Sequence, residues 1–214
     1  VHGVLAIPAV LAALAPATHF ASEPLPAKVR TQLRTQGFWH AGCPVPLSDL
    51  RLLTVSYRGF DRRTHTGQMI VNERAAAPLE TVFRRLYALR FPIRHLQLSD
   101  MYGPVRGRPK DDDVTGSFSC RQAVPSPCSS GTGTGTWSMH AYGLAVDVNP
   151  RENPYVGCGQ SRDPATRPYF DRSRHRPGMV TRRAIAAFRS IGWGWGGSWT
   201  GDTQDYMHFS STGH

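Results

Sequence analysis

An α+β fold is predicted for this chain by three observations. Two neighbouring segments alternate apolar and polar residues in the manner of strands, a longer segment after them carries a helical apolar stripe, and strand-like and helix-like segments do not follow one another in the strict βαβ rhythm of a parallel sheet. The expected architecture is an antiparallel sheet with helices packed on one face. With 214 residues, the chain is long enough for one proper core and short for two ordinary domains.

Gly3 to Ala17, GVLAIPAVLAALAPA, is an uncharged apolar run of signal-peptide length, with Ala15 and Ala17 in a small-x-small pattern. Residues 1–17 are therefore expected to be a signal peptide, although only Val1 and His2 precede the run and neither supplies a basic start. The run is too short to span a bilayer, so no membrane span is expected in the mature chain. Residues 18–45 read as an N-terminal tail or linker with a short helix from Lys28 to Thr35, and residues 46–214 as the functional domain.

Arg51 to Arg58 sets Leu53, Val55 and Tyr57 on one strand face, and His65 to Val71 reads as its hairpin partner. From Ala75 to Arg90, Leu79, Val82, Phe83 and Leu86 recur at the spacing of an amphipathic helix. Ile93 to Leu98 alternates as another strand after Pro92. The stretch 101–135 is too long and too rich in Gly, Ser, Pro and Thr for an ordinary connection, and its Asp111, Asp112 and Asp113 lack the ligand spacing of a calcium loop and read as solvated. Leu144 to Asn149 forms a strand with Asp147 opposite its apolar face, Thr181 caps a helix that Gly192 ends, and Tyr206 to Phe209 is a last strand.

Cys43, Cys120, Cys128 and Cys158 form an even set suited to two disulfides in an oxidising compartment. Three pairings are open, and the spacings are not those of a zinc ribbon. The net charge of +10, carried mainly by arginine, attracts polyanions in general. No stacking motif or zinc-finger spacing points to nucleic acid, and on charge alone nucleic acid, anionic membrane and anionic cell-wall polymer all stay open.

Two segments place histidine and carboxylate at interpretable spacings: SMHAYGLAVD, with His140 and Asp147, and DYMHF, with Asp205 and His208. In the first, the Ala-Tyr-Gly step permits a turn between histidine and strand. Two histidines and one aspartate are a usual ligand set for zinc with a fourth position for water, and a carboxylate beside them can act as general base. Isolated His and Asp near glycine-rich loops also serve as turn caps.

These two segments resemble the Ser-x-His-x-x-Gly-x-Ala-x-Asp and acidic-x-x-His signatures of the zinc D-alanyl-D-alanine carboxypeptidases, a family that includes L-alanyl-D-glutamate endopeptidases and D,D-dipeptidases. The resemblance implies the hedgehog/D,D-peptidase fold, zinc held by His140, Asp147 and His208, and Asp205 as base. SFSCR resembles the family's stretch with an active-site arginine, which implies Arg121 as a second catalytic group that polarises the scissile carbonyl or pairs with a substrate carboxylate. Ser138 orients His140, touches substrate or caps a turn. Trp137, Trp193, Trp195 and Trp199 are candidates for the cleft wall or the core, with Trp137 read as substrate-binding; His65 reads as a structural histidine.

The resulting expectation is a secreted or cell-envelope, monomeric zinc peptidase acting on peptidoglycan stem peptides, foremost as a D-alanyl-D-alanine carboxypeptidase. The alternatives are an L-alanyl-D-glutamate endopeptidase and a non-catalytic zinc module of the same fold.

Overall fold

In the computed structural model, which describes residues 17–123 and 135–214, the alternation in the two neighbouring segments produces a long hairpin. Its strands pair antiparallel from Leu50↔Asn72 to Arg58↔Thr64. The first signal-like residues, 1–16, and Cys128 lie outside the described residues.

In chain order the elements are β1 (Phe20–Pro24), α1 (Ala27–Thr35), β2 (Leu50–Arg58), β3 (Thr64–Asn72), α2 (Glu73–Ala88), α3 (Leu98–Tyr102), β4 (Ala145–Asp147), β5 (Tyr155–Gly157), α4 (Arg182–Arg189), β6 (Gly194–Trp195), β7 (Thr203–Asp205) and β8 (His208–Ser210). They form an α+β fold whose strands divide among three antiparallel sheets: β1-β2-β3, β4-β8-β6 and β5-β7. The single sheet expected from the sequence is thus split. The short strands β4 to β8 gather around the functional site, while the longer hairpin carries the main core.

Both faces of that hairpin are apolar. Leu53, Val55, Tyr57, Met69 and Val71 pack against the stripe of α2, including Leu79, Val82, Phe83 and Leu86. Leu50, Leu52 and Ile70 point the other way and meet Leu33 of α1, Tyr102 and Phe118. Helices therefore cover both faces of the sheet, which corrects the one-sided arrangement read from the sequence. Each fully buried side chain of this kind contributes about 1.5–3 kcal/mol relative to exposure.

Residues 20–45, read as a tail or linker, are paired and packed. β1 pairs with β2 from Phe20↔Val55 to Pro24↔Arg51, Leu33 is fully buried, and Cys43 is bonded to Cys120. Closing a loop with a sequence separation of 77 stabilises the fold by about 4.5 kcal/mol in the chain-entropy account. Cys158 is disulfide-bonded as well.

Two other expectations are corrected. Ile93–Leu98 is not a strand: the backbone makes single bridges at Pro92 with Arg58 and at His95 with Val114, and Leu98 already starts α3. The Asp111–Asp113 run is only partly solvated: Asp112 is exposed, but Asp113 is fully buried and pairs with Arg94 at 2.8 Å. The same guanidinium holds buried Glu152 at 2.6 Å, tying the loop to the segment after β4. Asp111 meets His95 at 3.0 Å.

One junction sets the approach to the site. The Asn72 side chain caps α2 by accepting from the Arg74 N–H and donates to the Tyr142 carbonyl, while its own backbone N–H donates to the Gly143 carbonyl. Gly143 has φ +65°, and a Cβ there would lie 2.7 Å from the Asn72 nitrogen. Gly143→Ala is expected to cost at least about 1–3 kcal/mol from the left-handed backbone alone. Chemical denaturation of the variant checks this, and unchanged stability would contradict the junction's role.

Candidate active site

His140 sits in a single 3-10 turn, Met139–Tyr142, that ends at Gly143 and feeds directly into β4. The Ser138 hydroxyl accepts from the His140 backbone N–H at 3.3 Å, so its observed contact is that of a turn cap. Asp147 closes β4 opposite His208 of β8 in the antiparallel register. The turn-and-strand geometry brings the two histidines and the aspartate together although His208 is remote in sequence.

The segment that resembles the family's arginine stretch forms the back of this arrangement. Gly116 bridges Asp147, the Phe118 N–H donates to the Ile70 carbonyl, and the Ser119 N–H donates to the His140 carbonyl. At Ser117 the backbone carbonyl accepts from His140 Nδ1 at 2.7 Å. In the neutral imidazole that bond places the hydrogen on Nδ1 and the lone pair on Nε2. The Ser117 carbonyl was missed in the sequence because any residue can supply it; no side-chain pattern announces it.

The Nε2 lone pair of His140 faces His208 Nδ1 at 3.2 Å and Asp147 Oδ2 at 3.2 Å, and His208 Nδ1 lies 3.2 Å from Asp147 Oδ1. A single proton on His208 Nδ1 satisfies only one of these neighbours, and it leaves the Asp147 carboxylate opposed to the His140 lone pair. A cation at the centre satisfies all three. Bonds of about 2.0–2.2 Å in tetrahedral directions separate donor atoms by about 3.3–3.6 Å, close to the spacing found. The donor chemistry and spacing both fit a zinc-sized ion.

The electrostatics of the cluster are pronounced. Burial alone would raise the Asp147 carboxyl, but His140 and His208 overcome it and hold this group well below the usual carboxylate range. Asp205 shows the opposite behaviour: burial, with the Asp147 charge added, pushes it up to about 7. Its Oδ1 is buried without a hydrogen-bond partner. Asp205 ends β7, and Gly196 allows the close approach that holds it, because a Cβ there would meet the Asp205 carbonyl at 2.5 Å.

The cluster borders a cleft of about 740 Å³. Arg121, Trp137 and Ser138 line one part and Tyr155, Trp199, Thr203, Asp205 and His208 another. Arg121 is exposed, and its positive charge acts on Asp205. Its backbone carbonyl accepts from the Ser138 N–H at 3.2 Å, and Gln122 bridges Trp137, so the arginine stretch and the segment leading into the His140 turn run side by side.

Among the tryptophans, Trp137 and Trp199 line the cleft, whereas Trp193 is in the core and Trp195 packs on Tyr206 and Phe209. Tyr155, Thr203 and His214 join the lining without having been read from the sequence. His65 is outside this cleft's lining; it stacks on Tyr57 and pairs with Asp61 at 3.0 Å. Cys43 and Cys120 are joined beside His40, so their sulfurs are spent in a disulfide and offer no thiolate for a metal.

Two histidines and an aspartate converging on one point, with a carboxylate beside them that has one buried oxygen without a partner, define the kind of site used by cation-dependent hydrolases. The family match is narrower. Residues 132–211, which contain both sequence signatures, match the model of the D-alanyl-D-alanine carboxypeptidase family. No curated protein and no solved structure matches the chain.

Proposed function

We propose that the protein is a zinc peptidase that hydrolyses peptide bonds in peptidoglycan stem peptides, foremost by removing the terminal D-alanine. The observation that carries this reading is the opposition of the His140 lone pair, His208 Nδ1 and the Asp147 carboxylate at mutual distances of 3.2 Å, beside the buried Asp205. His140, Asp147 and His208 are the ligands in this account. Zinc supplies Lewis acidity and lowers the pKa of bound water to about 7.

The protein's own groups divide the remaining work. Asp205 accepts a proton at its unpartnered Oδ1 as water adds to the scissile carbonyl, and returns it to the leaving amine. Ser117 holds His140 in the required tautomer through its carbonyl. Arg121 at the cleft wall neutralises the developing oxyanion or the substrate's terminal carboxylate, both of which suit its fixed array of donors. Trp137 and Trp199 flank the peptide, and Ser138 keeps the metal-binding turn in register.

A non-catalytic zinc module has no need of a carboxylate oxygen buried without a partner, so Asp205 Oδ1 favours catalysis. The Cys43–Cys120 disulfide supports a secreted or envelope location, where such bonds persist. Among the described residues, no helix is long and apolar enough to cross a membrane.

Digestion of purified wall peptides, with the new termini identified by mass spectrometry, tests the proposal. Release of D-alanine that stops on chelation and returns with zinc is expected. Cleavage between L-alanine and D-glutamate would transfer the protein to the endopeptidase reading. No cleavage by the zinc-loaded protein would overturn the peptidase reading.

A further inference from the structure

A second cleft, of about 840 Å³, has a lining distinct from that of the candidate active site. Arg58 at the end of β2, Arg62 in the following turn, Arg90 just beyond α2 and Arg183 in α4 converge on it, with His175 beside them. No acidic residue contributes to the lining. Among the described residues, none of these four guanidiniums is salt-bridged.

Carboxylates near in sequence are engaged elsewhere. Asp61 faces His65, and Asp171 accepts from Ser173 and faces Arg174. Arg58 is the most constrained cation: it lies over the Tyr87 ring at 4.9 Å, and its Nε is buried with no hydrogen-bond acceptor. Arg62 and Arg90 have left-handed backbones, with φ 63° and 54°. Holding guanidiniums without carboxylate partners around one concavity costs Coulomb energy, and an anion seated there removes that cost.

We infer that this cleft binds a phosphodiester-linked polymer of the cell wall and tethers the enzyme near its peptide substrate. Guanidinium donors match phosphate oxygens in pairs, and several cations around one cleft engage successive phosphates along a chain. Single-stranded nucleic acid offers the same charge but draws on open aromatic faces for stacking. Here Arg94 lies over Phe60 at 3.9 Å and Phe91 is only 6% exposed. The choice of a wall polymer as source rests on the peptidase reading; the anion site itself does not.

Binding of soluble poly(glycerol phosphate) by the full chain, followed by calorimetry at low and moderate salt, tests the inference. Salt-sensitive binding is expected, at least about tenfold weaker for the doubly substituted Arg62→Glu, Arg183→Glu protein. Turnover of a short soluble stem peptide by that variant is expected to be unchanged, which shows intact folding. Arg90→Gln is a milder second variant and is expected to weaken polymer binding in the same direction. Equal affinity of wild type and both variants, or absence of binding, would overturn the site. Preference for oligothymidylate of equal phosphate number, or equally strong binding of inorganic phosphate, would overturn the wall-polymer assignment. Polymer binding is read without peptide cleavage, so failure of the peptidase reading remains a separate result.

Discussion

Replacing His208 with alanine is expected to abolish zinc retention and peptide cleavage together. Its Nδ1 stands 3.2 Å from both His140 Nε2 and Asp147 Oδ1, so its removal reduces three converging donors to two. Loss of an outer partner of a metal ligand typically costs about 10–100-fold in affinity. Loss of the ligand itself should exceed that range. Equilibrium dialysis against zinc and a stem-peptide assay on the same preparation check the result. Retention of stoichiometric zinc in His208→Ala would remove His208 from the ligand set.

Asp205→Asn should separate metal binding from turnover. The substitution keeps nearly the same shape but removes the carboxylate that burial and Asp147 push up to about 7. General-base assistance is worth about 10²–10⁴-fold, so kcat is expected to fall by that factor while zinc content stays at the wild-type level. Asp205 lies outside the trio of mutually close donor atoms, which is why the two readouts should part. Undiminished cleavage would exclude Asp205 as the base, and zinc loss would make it a ligand.

Local pattern revealed those parts of the molecule whose conformation is decided locally. The alternation in β2 and β3 and the stripe of α2 were legible because every second residue, or every third and fourth, meets a continuous core. Thr181 was legible as a cap for the same reason: its hydroxyl accepts from the Ala184 N–H one turn away. Ile93–Leu98 shows the limit. It alternates like a strand, yet the backbone here finds only isolated bridges, of Pro92 with Arg58 and of His95 with Val114, and Gln97 with Asp100 instead forms a capping box that starts α3.

Asp113 shows the same limit for charge. An aspartate in an acidic run reads as solvated until a distant Arg94 neutralises it, and that pairing depends on tertiary structure. At the candidate site, the residues with distinctive side chains were legible as two short signatures, because turn and strand place His140 and Asp147 within one local segment. The Ser117 carbonyl and the cleft contributions of Tyr155 and Thr203 were not legible. They depend on backbone position or on separate strands coming together, which leaves no recurring residue type to detect.

The central claim is that zinc lies among His140, Asp147 and His208, and anomalous diffraction at the zinc absorption edge from crystals of the zinc-loaded protein tests it most directly. The expected result is one strong peak about 2.0–2.2 Å from His140 Nε2, His208 Nδ1 and an Asp147 carboxylate oxygen. A zinc-loaded, active protein whose peak lies elsewhere, such as beside His40, would contradict the account.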